Sequence, residues 1–390
     1  NLMSNINALT KFSYIDSNKA IKEINLKIAK KDKIIQNIIL SIQKYNNNLN
    51  LVGYGYYFNN INKEFFNYNF YEKIFITGFP GVLGNRFIEF IINYNRINKD
   101  KINCNLLVES KYKNQFSLPS NFKIYYGSLE NITVLNNALK DSEIVFHLAG
   151  SIYNKNNAVI YKSNYTDSKN LVDLSIKNGI SKFVLMSSDS VAGYRNNNKL
   201  MKIGQKKPTG AYGRSKLLIE QYLIKKYKIH KMNYTILRGF WFFDITFSKR
   251  NQKFVKNIID GKQYLFGNGL NLRNVSLTEN VVINFFKCIK YKKTNNNIYW
   301  IGEDSNLTFS DIYKQICKVN NKKFTPIYLP KFILFFLRII YKLFDLIGIN
   351  IPILFSLSKL DMSISGDSSQ IYKDTSNLKI SNFCEIGKYE

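Results

Sequence analysis

Ile74-Phe75-Ile76-Thr77-Gly78-Phe79-Pro80-Gly81-Val82-Leu83-Gly84 reads as an apolar strand, a glycine turn and the start of a helix. Gly78 permits the tight turn, Gly81 lets backbone approach a pyrophosphate, and Gly84 lets the helix pack closely on the strand. The helix offers free N–H groups and the positive end of its dipole to phosphate oxygens. Gly78, Gly81, Val82, Leu83 and Gly84 are therefore candidate cofactor contacts.

Strand-like apolar runs recur beyond this turn, at 73–77, 105–108, 122–126, 143–149, 182–187 and 234–237, and helical stretches separate most of them. Such alternation predicts an α/β fold, a doubly wound parallel sheet whose ligands sit at the carboxyl ends of the strands. The second run ends at Glu109. An acid there accepts from both ribose hydroxyls and favours NAD, whereas Lys111 and Lys113 beside it suit the 2′-phosphate of NADP; the reading leans to NAD. Residues 71–240 form the expected cofactor domain, and 241–390 a smaller mixed substrate-binding region. Isoleucines from Ile21 to Ile42 recur at helical spacing and predict a helical extension over 1–70.

Ser188 follows the run at 182–187, and Tyr212-Gly213-Arg214-Ser215-Lys216 lies further on. On a helix Tyr212 and Lys216, four apart, share a face. A lysine ammonium favours the phenolate and lowers a phenol pKa that is otherwise about 10, too high for a base at neutral pH. Ser188 can donate to the same substrate oxygen and hold the substrate against a nicotinamide, while Lys216 can also bind ribose hydroxyls.

These pieces together resemble the extended short-chain dehydrogenases/reductases, from about residue 73 to about 384. Thr77 to Gly84, Gly127-Ser128-Leu129, His147-Leu148-Ala149-Gly150, Asn164, Ser187-Ser188, Tyr212 to Lys216 and Leu237-Arg238-Gly239 stand in the family's order. The resemblance implies a Rossmann-type fold and a catalytic trio of Ser188, Tyr212 and Lys216, with Asn164 supporting a proton relay. It adds Ser128, Leu129, Leu148, Ala149 and Gly150 to the cofactor contacts, and implies a homodimer through two packed helices. Three positions depart from the family pattern: Ser128 stands where Asp is usual, Asp167-Ser168 where Gly-Thr is common, and Gly239 where Pro is usual.

Two branches compete for the substrate. Ser187 to Gly193, Gly267-Asn268-Gly269-Leu270-Asn271 and an apolar helix after Pro330 resemble 3β-hydroxysteroid dehydrogenases, which take hydrophobic alcohols or ketones. Pro208 to Glu220 resembles nucleotide-sugar epimerases and dehydratases, and Arg273 stands where those enzymes bind a diphosphate. The shared expectation is hydride transfer at a secondary alcohol or ketone carbon, with the hydroxysteroid-like branch preferred. A non-catalytic cofactor-binding subunit is the further alternative; it predicts loss of Tyr or Lys from the trio, and both are present.

Composition narrows the partners. Lys and Arg number 56 against 27 acids, a net charge of +29, but only eight are Arg and the lysines run along the whole chain. That pattern argues for a general residue bias rather than a nucleic-acid surface. Four separated cysteines and two histidines give no metal-ligand spacing and suit a reducing compartment, so the expectation is no metal and a cytoplasmic protein. The first residues carry no signal-peptide pattern. Helix 330–347 carries Arg338, Lys342 and Asp345 as a narrow polar stripe. It predicts either a wall of an apolar crevice or a peripheral membrane contact.

Overall fold

The computed structural model describes residues 73–375 apart from 99–100, 153, 197 and 303–306. The expected extension over 1–70 lies outside the described residues. The central sheet is wholly parallel: β1 (Ile74–Thr77), β2 (Cys104–Val108), β3 (Phe122–Tyr126), β4 (Ile144–His147), β5 (Lys182–Ser188), β6 (Asn233–Gly239) and β10 (Asn297–Ile301). Their spatial order is β10-β6-β5-β4-β1-β2-β3. The order reverses where β1 lies between β2 and β4, which opens the ligand crevice of a doubly wound sheet at the ends of β1 and β4.

Strand side chains alternate between two cores. Ile74, Ile76, Phe146, Val184 and Leu237 point to one face, covered by α1 (Val82–Ile97) and α7 (Thr278–Lys290). Phe75, Val145, Phe183, Leu185 and Ile236 point to the other, beneath α2 (Ile132–Leu139), α4 (Asp167–Lys177) and α5 (Gly210–His230). Because both faces are covered, the strands read as continuous apolar runs, the reason the sequence pattern found six of the seven. The seventh, β10, comes from beyond residue 240, so the sheet and the substrate-side region interleave in sequence.

That region adds β7 (Trp241–Phe243) paired with β9 (Val275–Leu277), β8 (Tyr264–Phe266) paired with β11 (Ile327–Leu329), and helices α6 (Lys249–Ile259) and α8 (Phe309–Val319) around their own apolar core. It closes with α9 (Phe332–Leu346), α10 (Pro352–Leu357) and α11 (Ser369–Thr375).

One buried cation ties this region to the sheet. Arg86 on α1 is 1% exposed and pairs with Glu89 at 2.6 Å, Asp244 at 3.0 Å and Glu279 at 3.1 Å. Asp244 also accepts the backbone N–H groups of Thr246 and Phe247. Removing the guanidinium strands buried carboxylates, which typically costs ~3–5 kcal/mol. Arg86→Met should therefore lower unfolding free energy in urea by about that amount; a loss under about 1 kcal/mol would contradict the pinning role.

Candidate active site

The glycine turn has the shape its sequence requires. Gly78 takes φ +97°, and a Cβ there would meet the Ala149 nitrogen at 2.8 Å, so β1 and β4 pinch together at this residue. A Cβ on Gly81 would meet the Gly78 carbonyl oxygen at 2.7 Å, and one on Gly84 the same oxygen at 2.6 Å. Both glycines are therefore needed for the turn to close on itself, besides any approach of phosphate. The helix begins at Val82, so its N-terminus faces the crevice. Leu83 and Leu129 lie in the two cores, leaving only their backbone for a ligand. Leu148 and Ala149 are partly buried, and Gly150 is exposed at the end of β4. Ser128 is exposed and its hydroxyl accepts from the Glu130 N–H at 3.3 Å. Glu109 is exposed beyond β2 and paired with Lys111 at 2.6 Å, so the two residues read as rivals for a ribose stand side by side.

Beneath the crevice His147 is wholly buried, 2.7 Å from Thr77 Oγ1 and 2.9 Å from Ser168 Oγ. Ser168 donates to the Ser163 carbonyl, so it accepts from His147 Nε2–H. His147 Nδ1 then accepts the Thr77 proton, and Thr77 oxygen accepts the Ala149 N–H at 3.3 Å. Ser168, where the family commonly has Thr, thus supplies the hydroxyl.

Tyr212 stands on the first turn of α5 and Lys216 one turn further. The helix is held against the Ser188 strand end because a Cβ on Gly213 would lie 2.4 Å from the Ser190 carbonyl oxygen, and Thr209 N–H donates to that oxygen. Lys216 is 3% exposed and donates to the Met186 carbonyl at 3.1 Å, with the Ala149 carbonyl at 3.5 Å. Burial pulls its ammonium down to about 8, against a smaller opposing pull from Glu220. A Cβ on Gly150 would meet Lys216 Nζ at 2.9 Å and Asn164 Oδ1 at 3.2 Å, which explains a glycine there.

Asn164 sits in a π turn, Lys162–Thr166, between α3 (Asn157–Tyr161) and α4. Its oxygen accepts the Ser151 N–H at 2.6 Å; its nitrogen donates to the Ser151 carbonyl at 2.9 Å and to Ser215 Oγ at 3.1 Å. Those bonds make it a brace between the β4 loop and the catalytic helix. Ser188 is buried, accepts from Ser190 N–H, and donates to Asp189 Oδ1 at 2.8 Å, so Asp189 competes with any substrate oxygen for its proton.

Sequence reasoning missed the residues that hold α5. Glu220, four beyond Lys216, forms a wholly buried pair with Arg238 at 2.6 Å and accepts from Ser187 Oγ. Its spacing from Lys216 was the available signal. Gly239 has no room for a larger residue: a Cβ would lie 2.6 Å from Phe242 and 2.8 Å from Met186.

Arg273 is 9% exposed, and its Nε and Nη1 are buried without a hydrogen-bond partner. Its guanidinium lies 5.9 Å over Trp241 and 5.7 Å over Phe309. Burial lowers its pKa to about 10, with Asp189 opposing. Lys359, which no sequence pattern signals, is buried with its ammonium 3.6 Å over Phe355. Burial lowers it to about 7; Asp189 opposes, and Arg273 and Arg250 add to the lowering. The arrangement is a desolvated cation cluster beside the Ser188–Asp189 corner, suited to an anion.

The face that α9 turns inward is not the expected apolar wall. Leu334, Arg338, Tyr341 and Asp345 share it. Arg338 pairs with Asp361 at 2.6 Å, and Asp345 pairs with Arg214 of the catalytic helix at 3.0 Å.

The family model for the NAD dependent epimerase/dehydratase family matches residues 74–302. The chain belongs to that NAD-dependent family. It is 25% identical over 273 residues to a dTDP-D-glucose 4,6-dehydratase of Dictyostelium discoideum, covering 64% of this chain and 63% of that protein. It is 29% identical over 172 residues to the decarboxylating sterol-4-alpha-carboxylate 3-dehydrogenase of Bos taurus, covering 41% of this chain and 47% of that protein. The chain thus spans about half to two thirds of these relatives. A solved dTDP-glucose 4,6-dehydratase from Bacillus anthracis, in complex with NAD, superposes with TM-score 0.62 at 16% identity, covering 80% of this chain and 93% of that one. The likeness shows the same fold. The glycine cradle that any Cβ would fill, at the switch point of the sheet, fits a dinucleotide. Among the described residues no group of His, Cys, Asp and Glu could hold a metal ion.

His147 also makes a pH signature. Burial holds its pKa far down, at about 3, against an ordinary value of 6.5. The unfolded chain takes up a proton below pH about 6.5 that the fold refuses, so His147's stabilisation is full above that pH and is lost as pH falls toward 3. Urea unfolding should show stability falling by up to about 1.4 kcal/mol per pH unit on this account, and His147→Gln should remove that slope. An unchanged slope in the variant would place the proton uptake elsewhere.

Proposed function

We propose that this chain is an NAD-dependent oxidoreductase of the extended short-chain dehydrogenase/reductase type, transferring hydride at a secondary alcohol or ketone carbon. The observation that carries the reading is Lys216, buried against the Met186 carbonyl one helical turn from Tyr212, at the mouth of the crevice. In this reading residues 71–240 hold the cofactor and 241–390 shape the substrate pocket of a cytoplasmic homodimer. The cofactor lies across the turn at Gly78, Gly81 and Gly84, beside Ala149 and Gly150, with Glu109 available to its ribose. Bound NAD supplies the hydride acceptor or donor. Tyr212 gives or takes the proton at the substrate oxygen, and the Lys216 ammonium keeps the phenolate within reach near neutral pH. Ser188 turns its proton from Asp189 to the same oxygen.

For the substrate, the observation that supports one branch is Arg273. Two buried guanidinium nitrogens without partners, flanked by Lys359, favour a diphosphate-bearing substrate, as in a nucleotide-sugar epimerase or dehydratase. The hydrophobic alcohol of a hydroxysteroid-like enzyme has less support, because the inward side of α9 carries Arg338 and Asp345 in ion pairs beside the buried Leu334 and Tyr341.

The test is calorimetric titration of NAD and of UDP into the wild type, Arg273→Met and Tyr212→Phe, with turnover followed on UDP-glucose and UDP-N-acetylglucosamine. Arg273→Met should weaken UDP by about 10- to 100-fold and spare NAD. Tyr212→Phe should bind both and lose turnover. UDP affinity unchanged in Arg273→Met would remove the diphosphate assignment; turnover retained in Tyr212→Phe would remove the catalytic one.

A further inference from the structure

Helix α9 is built inside out. Positions 334, 338, 341 and 345 recur every three or four residues and face the protein, carrying two of the helix's charges into ion pairs. The opposite face presents Phe332, Phe335, Phe336, Ile339, Ile340, Leu343, Leu346 and Ile347 to solvent, with Leu346 83% and Phe332 62% exposed. Ile327 and Tyr328 of β11, Tyr264 of its partner β8, and Ile349 and Ile353 after the helix are exposed as well. Thirteen of the twenty large exposed hydrophobics of the described residues fall between 327 and 353. A patch of this extent has an occupant.

The charges around it say which. From 312 to 360 Asp345 is the sole acid, and it is spent inward on Arg214. Lys322, Lys323, Lys331 and Lys342 are exposed along the same stretch. Lys342 flanks the apolar face on α9 itself. A protein partner would have to desolvate it, whereas at a membrane surface its stem lies along the acyl chains and its ammonium reaches the phosphates. Tyr264, an apolar body with a polar tip, shares a face with Ile327 and suits the headgroup level. The helix, of 15 residues, is too short to span a bilayer, and among the described residues no helix is long and apolar enough to cross one.

We propose that the outer face of α9, with β11 and α10 at its ends, docks on the surface of an anionic phospholipid leaflet. The helix lies in the plane of the interface. Its inward stripe is bonded to α5, the helix that carries Tyr212, through Asp345 and Arg214. The inference stands apart from the substrate assignment.

The test is flotation of the full chain on a density gradient with vesicles of pure phosphatidylcholine or of an equimolar mixture with phosphatidylglycerol. The chain should float with the anionic vesicles and at least about tenfold less with the neutral ones at low salt. Phe335→Glu with Leu343→Glu should abolish flotation, and Lys322→Glu with Lys342→Glu should remove the preference for anionic lipid. NAD titration of each variant verifies that it is folded and reports on the cofactor site separately. Absence of flotation for the wild type, or equal flotation of the Phe335→Glu/Leu343→Glu variant, would overturn the proposal. So would a solution dimer that the same substitutions dissociate while the wild type stays off the vesicles, because the face then covers a second copy.

Discussion

A buried ammonium organises the strand ends of β4 and β5 and the helix packed on them. Lys216 is drawn out of water between the strand ends of β4 and β5, where its bond to the Met186 carbonyl replaces hydration. The neighbouring residues follow from that placement. A Cβ on Gly150 would press on the Lys216 ammonium and on Asn164. The π turn aims Asn164 so that it braces the loop against Ser215. Glu220, one turn beyond, balances the ammonium at a distance and locks the helix to β6 through Arg238. The cost of burial shows in the ammonium itself, whose pKa has fallen to about 8 and which is still mostly charged at neutral pH.

The substrate side is arranged by a second imbalance of charge. Arg273, Lys359 and Arg250 share one region with Asp189, which is already engaged by two serine hydroxyls. Burial lowers the pKa of Arg273 and of Lys359, and the desolvated pair is suited to an anion. At the same corner Ser188 donates to Asp189 Oδ1, which also accepts from Ser190 Oγ.

Much of this was legible in sequence because it rests on local rules. Six strands stood out as apolar runs, since both sheet faces are covered, and the glycine turn and the Tyr212–Lys216 spacing follow from backbone geometry and helical period. The rest depends on contacts between distant residues. β10 is a short run whose strand character comes from pairing with β6. The apolar composition of α9 was visible, but which face turns inward depends on Arg214 and Asp361, far away along the chain. Lys359 looked like one lysine among many until burial set it apart. Arg273 was singled out by position, whereas its missing partners are a fact of three dimensions. Ser168 shows the converse: a departure from the family's usual residue that keeps the needed hydroxyl on His147.

The central claim is a dinucleotide site at the switch point of the sheet, with the buried Lys216 at its edge. Native mass spectrometry of the full chain with NAD tests it most directly. One NAD should bind per wild-type chain, and that adduct should be lost when Gly81→Val fills the turn. A wild-type chain that takes up no NAD, or a Gly81→Val chain that takes it up undiminished, would contradict it.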